Sequence, residues 1–172
     1  MKIAYIHGYK GSAYGTSFEN IKEALGDDAE LIGVEYDETD YYTSRESFLE
    51  FIEKEKPDML IGSSLGGFLT MTIPGIDKIV INPCVWPNVE LPKLGASEEF
   101  IKTFFDNLED RVYKDKQTYG IFGIDDEILG LKYFAEFMAL WGVDSYLVNS
   151  GHQISKEGAK KIPVIIKRHF SK

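Results

Sequence analysis

Apolar and polar positions follow two rhythms that alternate along the chain. Short, nearly continuous apolar runs stand at Ile3-Ala4-Tyr5-Ile6, Leu31-Ile32-Gly33-Val34, Met59-Leu60-Ile61, Ile79-Val80-Ile81, Tyr119-Gly120-Ile121-Phe122 and Tyr146-Leu147-Val148. Runs of this length between turn residues read as buried strands. They predict strands over Lys2 to Ile6, about Glu30 to Val34, Met59 to Ile61, Lys78 to Ile81, Tyr119 to Gly123 and Ser145 to Val148. Between them the apolar residues recur at helical spacing. Phe18, Ile21 and Leu25 follow Thr16-Ser17 and stop at Gly26. Phe48, Phe51 and Ile52 follow Thr43 and Glu46, which have the spacing of a capping box, and this helix ends near Lys56 before Pro57. Phe68 to Ile73 is helical up to Pro74-Gly75, and Ser97 caps a helix through about Leu108. A long amphipathic helix runs from about Glu127 to Trp141, and Ser155 caps a C-terminal helix. The stretch Cys84 to Gly95 carries Pro87 and Pro92 and is expected to be irregular.

Strands that alternate with helices predict a three-layer α/β/α sandwich around a mostly parallel sheet of about six strands. The 172 residues suit one domain, with no repeat and no linker long enough to divide it. Segment 84–108 is the room available for a small cap.

Ligands bind an open parallel sheet beyond the carboxyl ends of its strands, and the chemistry-bearing residues gather there. His7-Gly8 follows the first strand, Ser64 the third, Asp126 the fifth and His152 the sixth. Gly62-Ser63-Ser64-Leu65-Gly66 has the spacing of a nucleophile elbow. Such a tight strand-to-helix turn needs small residues on either side and pushes the serine hydroxyl out at the top of the sheet. A serine hydroxyl needs a base to become a nucleophile, and His152 lies where that base belongs, between the last strand and the last helix. The third member is a carboxylate after the fifth strand that orients the imidazole. Asp126 is favoured by its spacing from Gly123, Asp125 is the second choice, and Glu127 is expected to face solvent. The order Ser64, Asp126, His152 is the order of a serine hydrolase built on this kind of sheet. Oxyanion donors are expected from the backbone N–H of Leu65 and from Tyr9 in the loop after the first strand. His7 is placed beside that oxyanion site as a substrate-binding residue, and Trp86 is the aromatic assigned to the substrate pocket. His169, in the last turn of the final helix, complements the helix dipole.

With those residues named, the chain resembles the α/β-hydrolase superfamily, and within it the small bacterial YqiA/YcfP-type esterases. The likeness rests on Tyr5-Ile6-His7-Gly8-Tyr9, Ile61-Gly62-Ser63-Ser64-Leu65-Gly66-Gly67-Phe68 and Ile81-Asn82-Pro83-Cys84-Val85-Trp86-Pro87, with Asp126-Glu127 and Gly151-His152. It departs from the family at Tyr9, where Phe is usual, at Cys84, where a small residue is usual, and at Asn149-Ser150-Gly151, where two glycines precede the histidine. The resemblance implies a minimal hydrolase fold with little or no cap, and activity on short or medium acyl esters or thioesters. It implies no metal and no cofactor.

Charge and cysteine content narrow the partners. The net charge is −9, from 19 basic and 28 acidic side chains, which disfavours nucleic acid and anionic membranes. Cys84 is the single cysteine; it rules out an intrachain disulfide and suits a reducing compartment. No histidine or acid is spaced to serve Cys84 as a nucleophile, so a small buried hydrophobe is expected there. The N-terminal apolar run is too short for a signal peptide or a membrane span, so the protein is expected in the cytoplasm. Gly8-Tyr9-Lys10-Gly11-Ser12 lacks the order of a phosphate-binding loop, and the scattered histidines show no metal-ligand spacing. The expected partner is a small-molecule acyl ester. A non-catalytic binding protein on the same fold is the competing expectation.

Overall fold

The two rhythms become a six-stranded sheet and the helices around it in a computed structural model of the protein, which describes residues 1–38, 40–105, 118–141 and 144–170. The elements in chain order are β1 (Lys2–Ile6), α1 (Thr16–Leu25), β2 (Glu30–Val34), α2 (Tyr41–Glu55), β3 (Met59–Ser63), α3 (Leu65–Met71), β4 (Asp77–Ile81), α4 (Pro87–Glu90), α5 (Glu98–Phe105), β5 (Thr118–Gly123), α6 (Lys132–Trp141), β6 (Ser145–Val148), α7 (Lys156–Ala159) and α8 (Lys161–His169). All strand pairs are parallel, in the order β2-β1-β3-β4-β5-β6.

Successive residues of a strand point to opposite faces, and here the two faces feed separate cores. Ile3, Tyr5, Met59, Ile61, Ile79 and Ile121 pack on one side with Phe18 and Ile21 of α1 and Ile162 and Ile165 of α8. Ala4, Ile6, Leu60, Val80 and Phe122 pack on the other with Phe48 of α2, Phe68 of α3, Phe104 of α5 and Phe137 of α6. The result is the α/β/α sandwich expected from the pattern. Strand order places β2 to one side of β1 and β3 to the other, so the chain reverses direction of growth between β1 and β3. The crevice beyond the carboxyl ends of such a pair is where open α/β sheets take ligands; His7 and Ser64 follow those two strands. Among the described residues no helix is long and apolar enough to cross a membrane.

Local chemistry moved several boundaries. The second helix starts at Tyr41, and its cap is Asp40 rather than a Thr43/Glu46 box. Asp40 Oδ1 accepts the Thr43 N–H at 2.9 Å and Oδ2 accepts the Thr43 hydroxyl at 2.7 Å, so the donor that a box would cap is already taken. The long amphipathic helix starts at Lys132, not Glu127. Asp126 Oδ1 folds the Ile128 and Leu129 N–H groups into a turn, and Gly130 then takes a positive φ of 73° that no continuous helix contains. Cys84 to Gly95 is not irregular: it holds the single turn α4 and a tight 3₁₀ turn over Leu91–Leu94, with Pro87 at the helical start where its missing N–H costs nothing. The helix after Ser97 is described to Phe105, with the Phe100 N–H on Ser97 Oγ at 3.1 Å; its expected end near Leu108, and the end of segment 84–108, lie outside the described residues.

Candidate active site

Ser64 is the whole of the connection between β3 and α3, and it takes φ 54° and ψ −120°. Non-glycine residues held there cost about 1–3 kcal/mol each, so the surroundings must impose the conformation. The Ser64 N–H donates to Ile81 O at 2.9 Å, while its carbonyl accepts from Cys84 N at 2.9 Å and Phe68 N at 3.1 Å. The glycines on either side are forced by contact. A Cβ on Gly62 would strike Thr70 Oγ1 and the Gly66 carbonyl, and one on Gly66 would strike the carbonyls of Ile6 and His7. Gly8 abuts the serine itself: a Cβ there would come 2.8 Å from Ser64 Cβ. The serine is thereby set against the loop that follows β1.

His152 and Asp126 arrive from loops after β6 and β5. His152 Nδ1 stands 3.0 Å from each carboxylate oxygen of Asp126, and the Asp126 side chain is only 3% exposed. Burial pushes the Asp126 carboxyl up. The hydrogen bond and charge of His152, with the N–H groups of Leu129 and Ile128, outweigh it, so the carboxyl lies below its ordinary value. Asp125 is exposed, and its backbone N–H bonds Ser150 O at 3.1 Å. Glu127 is exposed as expected from sequence, yet its Oε2 accepts the His152 backbone N–H at 3.0 Å.

Asn82 is the residue that sequence reasoning missed. It is 1% exposed, and its side-chain amide donates to the carbonyls of Gly151 (3.1 Å) and His152 (2.9 Å) while its Oδ1 accepts the Gly123 N–H at 2.8 Å. One side chain thus ties the end of β4 to the loops that carry Asp126 and His152. Its signal was a buried-type position, directly after an apolar strand and before Pro83, occupied by a group with donors and acceptors to satisfy. Ser150, at the departure from the family's glycines, braces the same loop by accepting the Ser155 N–H at 2.9 Å.

Ser64 and His152 open onto one cleft of about 400 Å³, which His7, Tyr9, Leu94 and Ile128 also line. Among the described residues the Ser64 hydroxyl makes no hydrogen bond, an arrangement common before a substrate tightens such a site. Leu65 is the first residue of α3, so its N–H has no partner within the helix. The Tyr9 loop is held from three sides: Gly11 N bonds Gly8 O at 2.9 Å, Lys10 N bonds Glu38 Oε2 at 2.9 Å, and Tyr9 stacks on Phe100 with ring centroids 5.6 Å apart. His7 is 4% exposed, with Nδ1 at 2.8 Å from Gly8 O and its ring stacked on Tyr36. Trp86 is not among the residues that line this cleft; its indole N–H donates to Glu136 Oε1 on α6.

The other reactive groups are engaged elsewhere. Burial and the nearby Glu90 carboxylate push the Cys84 thiol up, which keeps it protonated. His169 stacks on Tyr119 and bonds the Tyr146 hydroxyl at 2.9 Å. Among the described residues no group of three or more His, Cys, Asp or Glu side chains could hold a metal ion.

Comparison with known proteins places this geometry in a family. Est1E from Butyrivibrio proteoclasticus with ferulic acid bound is similar in structure, with a TM-score of 0.76 at 16% identity over 95% of this chain and 88% of that one. Alpha/beta hydrolase domain-containing protein 10 from mouse gives 0.74 at 16% identity, over 96% and 88% of the two chains. A thermophilic esterase from Thermogutta terrifontis gives 0.65 at 11% identity, over 99% and 89%. At these identities the likeness is one of fold, and the fold is that of the α/β hydrolases. Comparison with curated proteins returned no sequence match. The profile of the uncharacterised protein family UPF0227 matches residues 2–134, a span that includes Ser64, Asn82 and Asp126. By that match the chain belongs to the UPF0227 family, and the family's fold here is the α/β-hydrolase fold.

Proposed function

We propose that the protein is a serine hydrolase that cleaves small carboxylic esters through an acyl-enzyme intermediate. The observation that carries the reading is one juxtaposition: His152, held by the buried Asp126 carboxylate, and the strained Ser64 elbow line one cleft at the carboxyl ends of the strands. Proteins of the same fold that are named esterases support the choice of reaction class. His152 takes the Ser64 proton on Nε2 as Oγ attacks the ester carbonyl carbon. The N–H groups of Leu65 and Tyr9 hold the oxyanion. Collapse of the tetrahedral intermediate expels the alcohol, which receives the proton from His152. Water, deprotonated by the same imidazole, then attacks the acyl-serine, and the imidazolium returns its proton to Ser64 Oγ as the acid leaves. Asp126 keeps the Nδ1–H tautomer and stabilises the imidazolium between steps. His7 lines the cleft as a substrate-binding residue, and its Nδ1 on Gly8 O steadies the oxyanion loop. The proposed substrate is a small neutral ester met in the cytoplasm, since the acidic chain repels nucleic acid and anionic membranes.

Labelling with a fluorophosphonate probe tests the reading. Wild-type protein should be labelled, and Ser64→Ala and His152→Ala, folded by circular dichroism, should not. A folded wild type that stays unlabelled would overturn it in favour of a binding protein without turnover.

A further inference from the structure

Two aliphatic side chains line the cleft of Ser64 while remaining substantially open to solvent: Leu94 is 37% exposed and Ile128 is 42% exposed. Each is presented by a segment that the structure fixes firmly. Ile128 stands two residues after Asp126, and its N–H donates to Asp126 Oδ1 at 2.9 Å. Leu94 ends the 3₁₀ turn after α4, and α4 is tied to α6 just ahead of that turn. The carboxylate of Glu90, 2% exposed, accepts the Tyr133 hydroxyl, meets Lys93 Nζ at 2.8 Å and Lys132 Nζ at 3.4 Å, and the Trp86 indole adds its bond to Glu136. Gly95, at φ 76°, then turns the chain away with its N–H on Pro92 O at 3.1 Å. A wall tied by a buried carboxylate and two further polar partners does not swing like a lid. Its apolar side chain stands at the mouth whether or not a substrate is present.

We propose that Leu94 and Ile128 together select the acyl chain, favouring short aliphatic acyl groups. The inference rests on the serine-hydrolase reading above. The chemistry is that of partial burial: exposed apolar carbon in the cleft that Ser64 also lines gains by covering methylenes of the acyl group, and the cleft volume limits how many it can cover. A fully buried methylene is worth about a fourfold preference. Two methylenes covered over most of their surface should therefore give about a tenfold preference for a butyryl over an acetyl ester, below the roughly sixteenfold of full burial.

The test compares kcat/KM for p-nitrophenyl butyrate and p-nitrophenyl acetate in the full chain. The butyrate-to-acetate ratio should be about tenfold in wild type, fall to about threefold in Leu94→Ala or Ile128→Ala, and approach one in the double variant. Leu94→Trp, which fills the mouth, should turn the preference toward acetate. Both positions are exposed, so the single variants should fold, and circular dichroism checks this. A wild-type ratio near one, or a ratio that both alanine variants leave within twofold of wild type, overturns the selector. Fluorophosphonate labelling separates the two levels. Labelled Ser64 with an unmoved ratio sinks the selector alone, whereas an unlabelled wild type sinks the hydrolase reading and the selector with it.

Discussion

Replacing Asp126 by Asn changes one atom and should disable the site by way of His152. In the protein Asp126 Oδ1 accepts two backbone N–H groups, from Ile128 and Leu129, each at 2.9 Å. An amide at this position keeps its oxygen on those donors, because an NH₂ group there would face two N–H groups. The amide nitrogen is left at the position of Oδ2, 3.0 Å from His152 Nδ1. There it donates. Oδ1 is also 3.0 Å from Nδ1 but already accepts two backbone N–H groups, so the amide N–H aimed at Nδ1 favours an imidazole that accepts there and carries its proton on Nε2. That is the wrong tautomer: Nε2 then has no lone pair with which to take the Ser64 proton. The positive charge that forms on the ring also loses its anionic partner. Holding the wrong tautomer costs about 10⁴-fold in kcat, or about 5–6 kcal/mol of barrier. The fold loses less, since the backbone bonds survive and one charged hydrogen bond is worth about 1.5–3 kcal/mol.

The assay is kcat for p-nitrophenyl acetate, with thermal unfolding alongside to show that the variant is native. Asp125→Asn is the companion, because Asp125 is the competing carboxylate in sequence but stands exposed and contributes a backbone contact. Its kcat should stay within about twofold of wild type. If Asp126→Asn keeps more than a tenth of kcat while Asp125→Asn loses most of it, the assignment of the acid is wrong, and so is the tautomer reasoning.

Two further expectations follow from the same contacts. Asn82→Ala leaves the Gly123 N–H and the carbonyls of Gly151 and His152 without their side-chain partner; at about 2–4 kcal/mol the melting temperature should fall by about 5–12 °C, and a drop below 2 °C would mean the loops do not depend on it. Asp126 and Glu90 both have carboxyls held below their ordinary value, Glu90 because Lys93, Tyr133 and Lys132 outweigh the upward push of burial. Carboxyls of this kind take up protons at higher pH when unfolded than when folded, so the stability they lend is complete above the ordinary carboxylate range near ~4 and is lost as pH falls from there through their lower folded values. A melting temperature that stays flat between pH 7 and pH 3 would contradict that coupling.

The strands were legible because a buried parallel strand writes itself as a continuous apolar run, and β1, β2 and β6 fall where those runs do. The elbow was legible for a related reason: Gly62 and Gly66 face backbone and side-chain atoms that admit no Cβ, so the spacing of glycines records the contact directly. Helix starts were less legible where one polar side chain had two possible uses. Thr43 and Glu46 satisfy the capping-box pattern as well as any pair does, but the pattern is blind to Asp40, whose carboxylate reaches Thr43 first. Asp126 shows the same ambiguity from the other side. Ile128 and Leu129 fit a helical stripe, yet their N–H groups belong to the carboxylate that also holds His152, so the helix waits until Lys132.

What periodicity cannot express is a bond made once, between loops far apart in the chain. Asn82 reaches partners 41, 69 and 70 residues away, and no spacing rule covers such distances. The same holds for Glu127, whose exposed position fits a solvent-facing residue although its carboxylate fixes the backbone of His152. Satisfaction of polar groups supplies the missing rule. A buried carboxamide must place its donors and acceptor somewhere, and at the carboxyl edge of a parallel sheet the unpaired groups nearby are the backbone ends of neighbouring strand-to-helix loops. Asking where Asn82 spends its hydrogen bonds leads to the loops of Gly123 and Gly151-His152, and hence to Asp126 and His152, by a path independent of the serine motif.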